Sequence, residues 1–238
     1  MAYNASLMAR LLLEIIVQSE ADARAAADGG ADRLEVVRAI HEGGLTPPVA
    51  LVRAIARATP LPLRVIVREN AGYATDGSEL PVLRRAAAEF AAAGVDGLVI
   101  GFVRAGEAAI DDVARVLDAA PGVRATFHRA FDSTGDPLRA IDALAGIAQI
   151  DRILTDGGTG LPAERCERLR AYAARAAGRL TVIAGSGVND EALAVFARSG
   201  CVREVHVGRA AREGGNPDGP VSAACVRRLR ALADGNGV

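Results

Sequence analysis

The sequence predicts an α/β fold closed into a single (β/α)8 TIM barrel, and three observations predict it. Short apolar runs rich in β-branched residues alternate with Ala- and Arg-rich amphipathic segments, eight times over in 238 residues. Alternation of this kind calls for a parallel sheet, and eight units call for closure. Second, the first strand is not followed by a glycine-rich nucleotide turn. Gln18-Ser19-Glu20 stands where an open doubly wound sheet would carry GxGxxG, so no nucleotide cofactor is indicated. Third, no linker or low-complexity stretch divides the chain. One domain is expected over 1–238, with residues 1–10 as an N-terminal extension and 211–238 as a closing loop and helix.

The first strand is expected over Leu11 to Val17, followed by a helix capped by Ser19 and closed at Asp28-Gly29-Gly30. The second runs from Arg33 to Val37 and leads through His41-Glu42-Gly43-Gly44-Leu45-Thr46 to a helix entered at Pro47-Pro48. Leu63 to Arg68 is the third strand. After its loop, Glu69 to Gly77, a long helix is expected from a Ser78 cap to Gly94. The fourth strand is Gly97 to Gly101, with a helix near Ala108 to Ala120. The fifth begins at Val123, ends in Thr126-Phe127-His128-Arg129-Ala130-Phe131-Asp132, and is followed by a helix capped by Asp136 with Pro137 in its first turn. Asp151 to Leu154, Leu180 to Ala184 and Arg203 to Val207 are the sixth, seventh and eighth strands. Asn189 caps the helix after the seventh, and a last helix is expected around Pro220 to Ala233.

Composition narrows the function. A net charge of -1 gives no electrostatic basis for binding nucleic acid, and 3% aromatics without Trp offers no base-stacking platform. All 28 basic residues are Arg. With no lysine, a Schiff-base mechanism is excluded, while Arg suits bidentate recognition of carboxylate or phosphate. Cys166, Cys201 and Cys225 lack CxxC spacing, so neither a disulfide framework nor a zinc module is expected. The polar N-terminus, and apolar runs too short to span a bilayer, point to a cytoplasmic protein with no membrane partner.

Alternate residues of a barrel strand point inward. Placing Glu14 inside brings Leu12 and Ile16 with it, and placing Glu35 inside brings Arg33 and Val37. The third strand then offers Arg64 and Arg68, the fifth Thr126 and His128, and the eighth Glu204, His206 and Gly208. Buried carboxylates need partners, and Arg68 and Arg129 are the expected ones. The candidate catalytic set is Glu14, Glu35, Arg68, His128, Arg129, Asp132 and His206, gathered at the carboxyl ends of several strands. Gly185-Ser186-Gly187 after the seventh strand and Gly208-Arg209 after the eighth form a candidate anion site, since loops at these positions cradle phosphate in many barrels. The histidines, including His41, show no HxH or HExxH spacing, so no metal ligand set can be assigned.

Leu13-Glu14-Ile15, the run Gly29 to Glu35, Glu42-Gly43-Gly44-Leu45-Thr46-Pro47, the run Thr126 to Asp132, and Arg203-Glu204-Val205-His206 together resemble the CutC copper-homeostasis family, in order from about Leu12 to Ala210. The resemblance implies a cytoplasmic, oligomeric TIM barrel that handles copper and binds Cu(I). Members commonly carry Cys at the positions of Ile16 and Val37, and an Arg-Pro-Arg-Gly-Gly type loop where this chain reads Arg68-Glu69-Asn70-Ala71-Gly72. Copper is therefore the implied cofactor, through positions that are aliphatic here. The expected partner is a small anionic ligand or a metal ion. An enzyme using acid–base chemistry on a phosphorylated metabolite is the alternative to a copper protein.

Overall fold

The computed structural model describes residues 10–235. The N-terminal extension expected over 1–10 falls, apart from Arg10, outside the described residues. Eight parallel strands close into a barrel in sequential order: β1 (Leu12–Val17), β2 (Arg33–Val36), β3 (Leu63–Ile66), β4 (Gly97–Ile100), β5 (Arg124–Phe127), β6 (Ile150–Thr155), β7 (Thr181–Ala184) and β8 (Glu204–Val207). The barrel shuts where β1 pairs with β8, Glu14 lying beside His206. Outside run α1 (Glu20–Asp28), α2 (Val49–Ala58), α3 (Leu80–Ala92), α4 (Ile110–Leu117), α5 (Pro137–Leu144), α6 (Pro162–Ala176), α7 (Asp190–Ser199) and α8 (Ala223–Ala233).

Strand alternation divides the molecule into two cores. Outward residues such as Leu13, Ile15, Leu34, Val36, Val65 and Phe127 join the helices in one large apolar cluster. Each helix contributes a stripe at helical spacing, for example Leu83, Ala87 and Phe90 of α3. Ser19, Asp136 and Asn189 cap as expected, accepting from Asp22, from Leu138 and Arg139, and from Ala192. Ser78 does not cap. Pro81 in the first turn sets the start of α3 at Leu80, Glu79 is the flanking residue, and the Ser78 amide goes to Asp76 instead.

Two further features depart from expectation. A small hairpin, Val103–Arg104 with Glu107–Ala108, follows β4 and turns at Ala105 and Gly106, both at positive φ. Cys166 of α6 is bonded to Cys201, which precedes β8, with Cα atoms 5.3 Å apart. Thirty-five residues separate them in sequence. Only the packing of α6 beside the chain entering β8 brings them together, so spacing alone could not show this pair.

Inside the barrel lies a ladder of charges. Arg33 is held by Glu14 and, at 2.7 Å, by Glu204. Glu204 also accepts from Arg152 at 2.9 Å, and Arg152 contacts Asp151. Asp151 takes both terminal nitrogens of Arg64 at 2.9 Å, and the Arg64 Nε reaches Asp96 at 2.9 Å. Each of these arginines bridges two carboxylates, so no charge in the ladder is buried alone. Gly97 is small for this reason: a Cβ there would lie 2.6 Å from the Arg64 guanidinium. Replacing Arg33 with Leu leaves Glu14 with only His206 and Glu204 with only Arg152, and should cost roughly 3–5 kcal/mol. Urea denaturation of the variant against the parent measures it.

Candidate functional site

The ladder leaves one interior carboxylate out. Glu35 is 5% exposed, lies on β2 beside Arg64 and Ile16 of its neighbours, and its Oε2 has no hydrogen-bond partner. The nearest cationic atom is His206 Nδ1 at 3.5 Å, but that nitrogen is bonded to Glu14 Oε1 at 2.7 Å. Burial pushes the Glu35 carboxyl up to about 7, with Glu14 adding to the effect and His206 opposing it. For Glu14 burial acts in the same sense, but Arg33 and His206 outweigh it and hold this carboxyl well below the usual range. For His206 burial is likewise outweighed, and the facing carboxylates raise its imidazole. Two glutamates on adjacent strands thus differ in character, because only Glu14 has the arginine.

His128 follows β5 on another wall. Its Nδ1 accepts the Ala130 amide at 3.1 Å, so the ring is neutral and the proton sits on Nε2. That Nε2 is buried and unpartnered. Burial, reinforced by Arg68 and Arg129, pushes the imidazole down to about 3. Gly101 makes room for it, since a Cβ there would lie 2.7 Å from His128 Nδ1.

The arginines are placed differently from expectation. Neither Arg68 nor Arg129 partners a barrel glutamate; Arg33 does so from inside β2. Arg68 donates to Gly43 O at 3.1 Å, to Gly72 O at 3.3 Å and to Ala71 O, tying the loop after β2 to the loop after β3. Arg129 is paired with Asp132 at 3.0 Å and Asp156 at 3.1 Å. Asp132 also accepts from Thr155 Oγ1 at 2.6 Å and lies behind the cavity, positioning Arg129. His41 is outside, 3.4 Å from Asp218.

These groups surround a cavity of about 470 Å3 at the carboxyl mouth, whose lining includes Glu35, His128, His206, Arg68, Arg129 and Tyr73. Glu14 lies beneath it. Ser186, Gly187, Gly208 and Arg209 line the rim, while Gly185 sits behind, its Cα hydrogens close to His206 and Leu154. Arg165 of α6 donates to the carbonyls of Gly185 and Ser186, both at 2.9 Å. In a trans peptide the N–H points opposite to the C=O, so the amides of Ser186 and Gly187 are turned away from Arg165. Positive φ at both residues shapes this nest. Among the described residues those amides, and those of Gly208 and Arg209, have no acceptor, and Arg209 has no carboxylate partner.

Sequence reasoning missed three contributors. Tyr73 stacks under Arg68 at 4.9 Å and against His128 at 5.3 Å, held by the Val103 amide on its carbonyl at 2.7 Å. One aromatic in a Gly- and Asn-rich loop was the only signal. Arg33 was read as inward without a role. Arg165 looks like any basic residue of an amphipathic helix, and only the tertiary structure reveals what it holds.

Fold and site together define a class: a TIM barrel with a pocket of carboxylate, imidazole and guanidinium groups at its carboxyl mouth. The CutC family profile matches residues 11–211. A Sinorhizobium medicae CutC family protein is 35% identical over 201 residues, 84% of this chain and 81% of the relative. A Caulobacter vibrioides member is 33% identical over 220 residues, 92% of this chain and 86% of its own. The CutC crystal structure from Streptococcus agalactiae shares the fold, with TM-score 0.76 and 21% identity over 82% of this chain and 97% of that one. The chain belongs to the CutC family.

The residues present do not fit a cuprous ion. Ile16 and Val37 line the cavity with aliphatic surface, and among the described residues no sulfur does. Glu14, Glu35 and His206 can bring one ligand atom each within 4.8 Å of one another. Carboxylates are poor matches for soft Cu(I). Glu14 and His206 already bond each other, with the Arg33 cation against the same carboxylate. In a competition titration against a Cu(I) chelator, the parent should bind weakly and an Ile16→Cys, Val37→Cys double variant more tightly. Tight stoichiometric binding by the parent would overturn this.

A second test follows from Glu35. Its folded carboxyl titrates near 7 against an ordinary 4.5. The folded state therefore holds this proton more tightly, and the resulting stabilisation is full below about pH 4.5 and lost as pH rises through about 7. Integrated, the difference is roughly 3 kcal/mol. A Glu35→Gln variant, which cannot ionise, should melt roughly 5 °C or more above the parent at about pH 8.5 and level with it at about pH 5.

Proposed function

We propose that this CutC-family barrel is an enzyme that performs acid–base chemistry on a small anionic, phosphorylated metabolite. The observation that carries the reading is that two buried polar atoms, Glu35 Oε2 and His128 Nε2, lack protein partners in residues that line one cavity. Leaving such groups unpaired costs about 1–3 kcal/mol each, and a fold concentrates that cost where a ligand relieves it. The rim supplies the anion site. Backbone amides of Ser186, Gly187, Gly208 and Arg209, with the Arg209 side chain, face a volume that suits a metabolite.

Copper handling is the second reading, favoured by the name of the Streptococcus agalactiae relative. This chain departs from it at Ile16 and Val37, which put hydrocarbon where the resemblance implies thiolates.

Thermal melting in the presence of inorganic phosphate, phosphorylated metabolites and metal salts separates the two. A ligand at 100 times its dissociation constant stabilises by about 2.7 kcal/mol. Phosphate should raise the melting temperature of the parent, and the Arg209→Glu variant should lose that rise with its basal stability unchanged. Protection by cuprous ion and by no anion would reverse the order of the readings.

A further inference from the structure

Resting on that pocket, the reaction class can be named from the disposition of its two unpartnered atoms. In the closed order, β3 and β4 intervene between β2 and the exit of β5, so Glu35 and His128 face the cavity from well-separated walls. One is a carboxylate oxygen with no donor. The other is an imidazole N–H with no acceptor, its tautomer set by the Ala130 amide on Nδ1. An N–H fixed in this way is a poor acid but a good hydrogen-bond donor to a carbonyl oxygen that is becoming negative. A carboxylate on the facing wall is placed to remove a proton from the carbon next to that carbonyl.

Other chemistries find fewer starting points. The chain has no lysine, and no cysteine lines the cavity. Arg68 is fastened to loop carbonyls and lends only its positive charge.

We infer that the site catalyses enolisation of a phosphorylated ketone, with Glu35 as the base, the His128 Nε2–H polarising the carbonyl, and the Gly187–Gly208 rim holding the phosphate. Glu35 takes the proton from the carbon beside the carbonyl. The C–H electron pair becomes the C=C bond, and the carbonyl π pair moves onto oxygen as an enolate facing His128 Nε2–H and the Arg68 charge. Return of the proton to the same carbon regenerates the ketone with its hydrogen exchanged; return to the adjacent carbon, with that carbon's hydroxyl proton passing to the former carbonyl oxygen, completes a ketose–aldose isomerisation. No electron acceptor or co-substrate enters the balance. Ile16, Val37, Ile66 and Leu154 give the cavity an apolar side that keeps water from the enolate.

The test is proton exchange in D2O. Dihydroxyacetone phosphate, ribulose 5-phosphate and fructose 6-phosphate are incubated separately with the intact protein, and loss of the C–H signal beside the carbonyl is followed by proton NMR. Glu35→Gln protein, purified identically, reports background exchange and contaminating enzymes. At least one probe should exchange ~10²-fold or more faster with the parent than with Glu35→Gln. The His128→Phe variant, which keeps ring packing against Tyr73 but loses the donor, should also fall by ~10²-fold. Inorganic phosphate should still raise the melting temperature of both variants, because neither residue belongs to the rim. If phosphate protects the parent yet none of the probes exchanges above the Glu35→Gln background, the reaction class is overturned and the anion pocket stands. If phosphate does not protect the parent, the pocket reading itself fails.

Discussion

The interior of this barrel is buried, and it holds charge. That constraint organises the rest. Desolvating an ion costs several kcal/mol, and the cost is offset only when partners surround it. Here Arg33, Arg152 and Arg64 alternate with Glu14, Glu204, Asp151 and Asp96, each arginine held between two carboxylates. Because the ladder ends at Glu14, the neighbouring Glu35 is left without an arginine and with another negative charge close by. Its raised proton affinity is thus a consequence of how the interior is neutralised, not a property of Glu35 alone.

The mouth of the barrel shows the complementary use of arginine. Arg68 and Arg165 direct their donors at backbone carbonyls rather than at carboxylates, and each ties down a loop that borders the cavity. Fixing the carbonyls on one side of the β7 loop fixes the amides on the other, so the donors of that loop are held in one geometry. Tyr73 extends the same logic sideways, packing between the Arg68 guanidinium and the His128 ring. Among the residues lining the cavity, Glu35 Oε2 and His128 Nε2 are the buried side-chain atoms left without a hydrogen-bond partner after this scaffolding.

Membership of the CutC family and the donor set of this chain point in different directions over copper. The family resemblance lies in the motifs that build the barrel mouth: the Gly-rich turn before β2, the Gly43-Gly44 loop, and the run through His128 to Asp132. The positions at which the resemblance implies soft Cu(I) donors are Ile16 and Val37 here. Both sets share the same wall, since Ile16 pairs in register with Glu35. A single strand pair therefore carries both the aliphatic positions and the carboxylate, and the polar groups of the pocket stand without a soft donor among the described lining residues.

By itself the sequence determined the closed eight-stranded barrel, the inward residues of the first, second, third, fifth and eighth strands, and Glu35, His128 and His206 as groups that approach the mouth. These are consequences of period-two alternation and of glycine, proline and cap chemistry, which act within a few residues. Strand ends shortened by a residue or so, and the false Ser78 cap, mark how weakly local signals set boundaries. Tertiary structure alone decided the partners: Arg33 rather than Arg68 beside Glu14, Asp132 behind Arg129, Arg165 beneath the β7 loop, and Cys166 against Cys201. An arginine reaches far enough to choose among several carboxylates and carbonyls, and the choice depends on distances fixed only when the barrel closes. Which glutamate was left unpaired could not be known until every arginine had been placed.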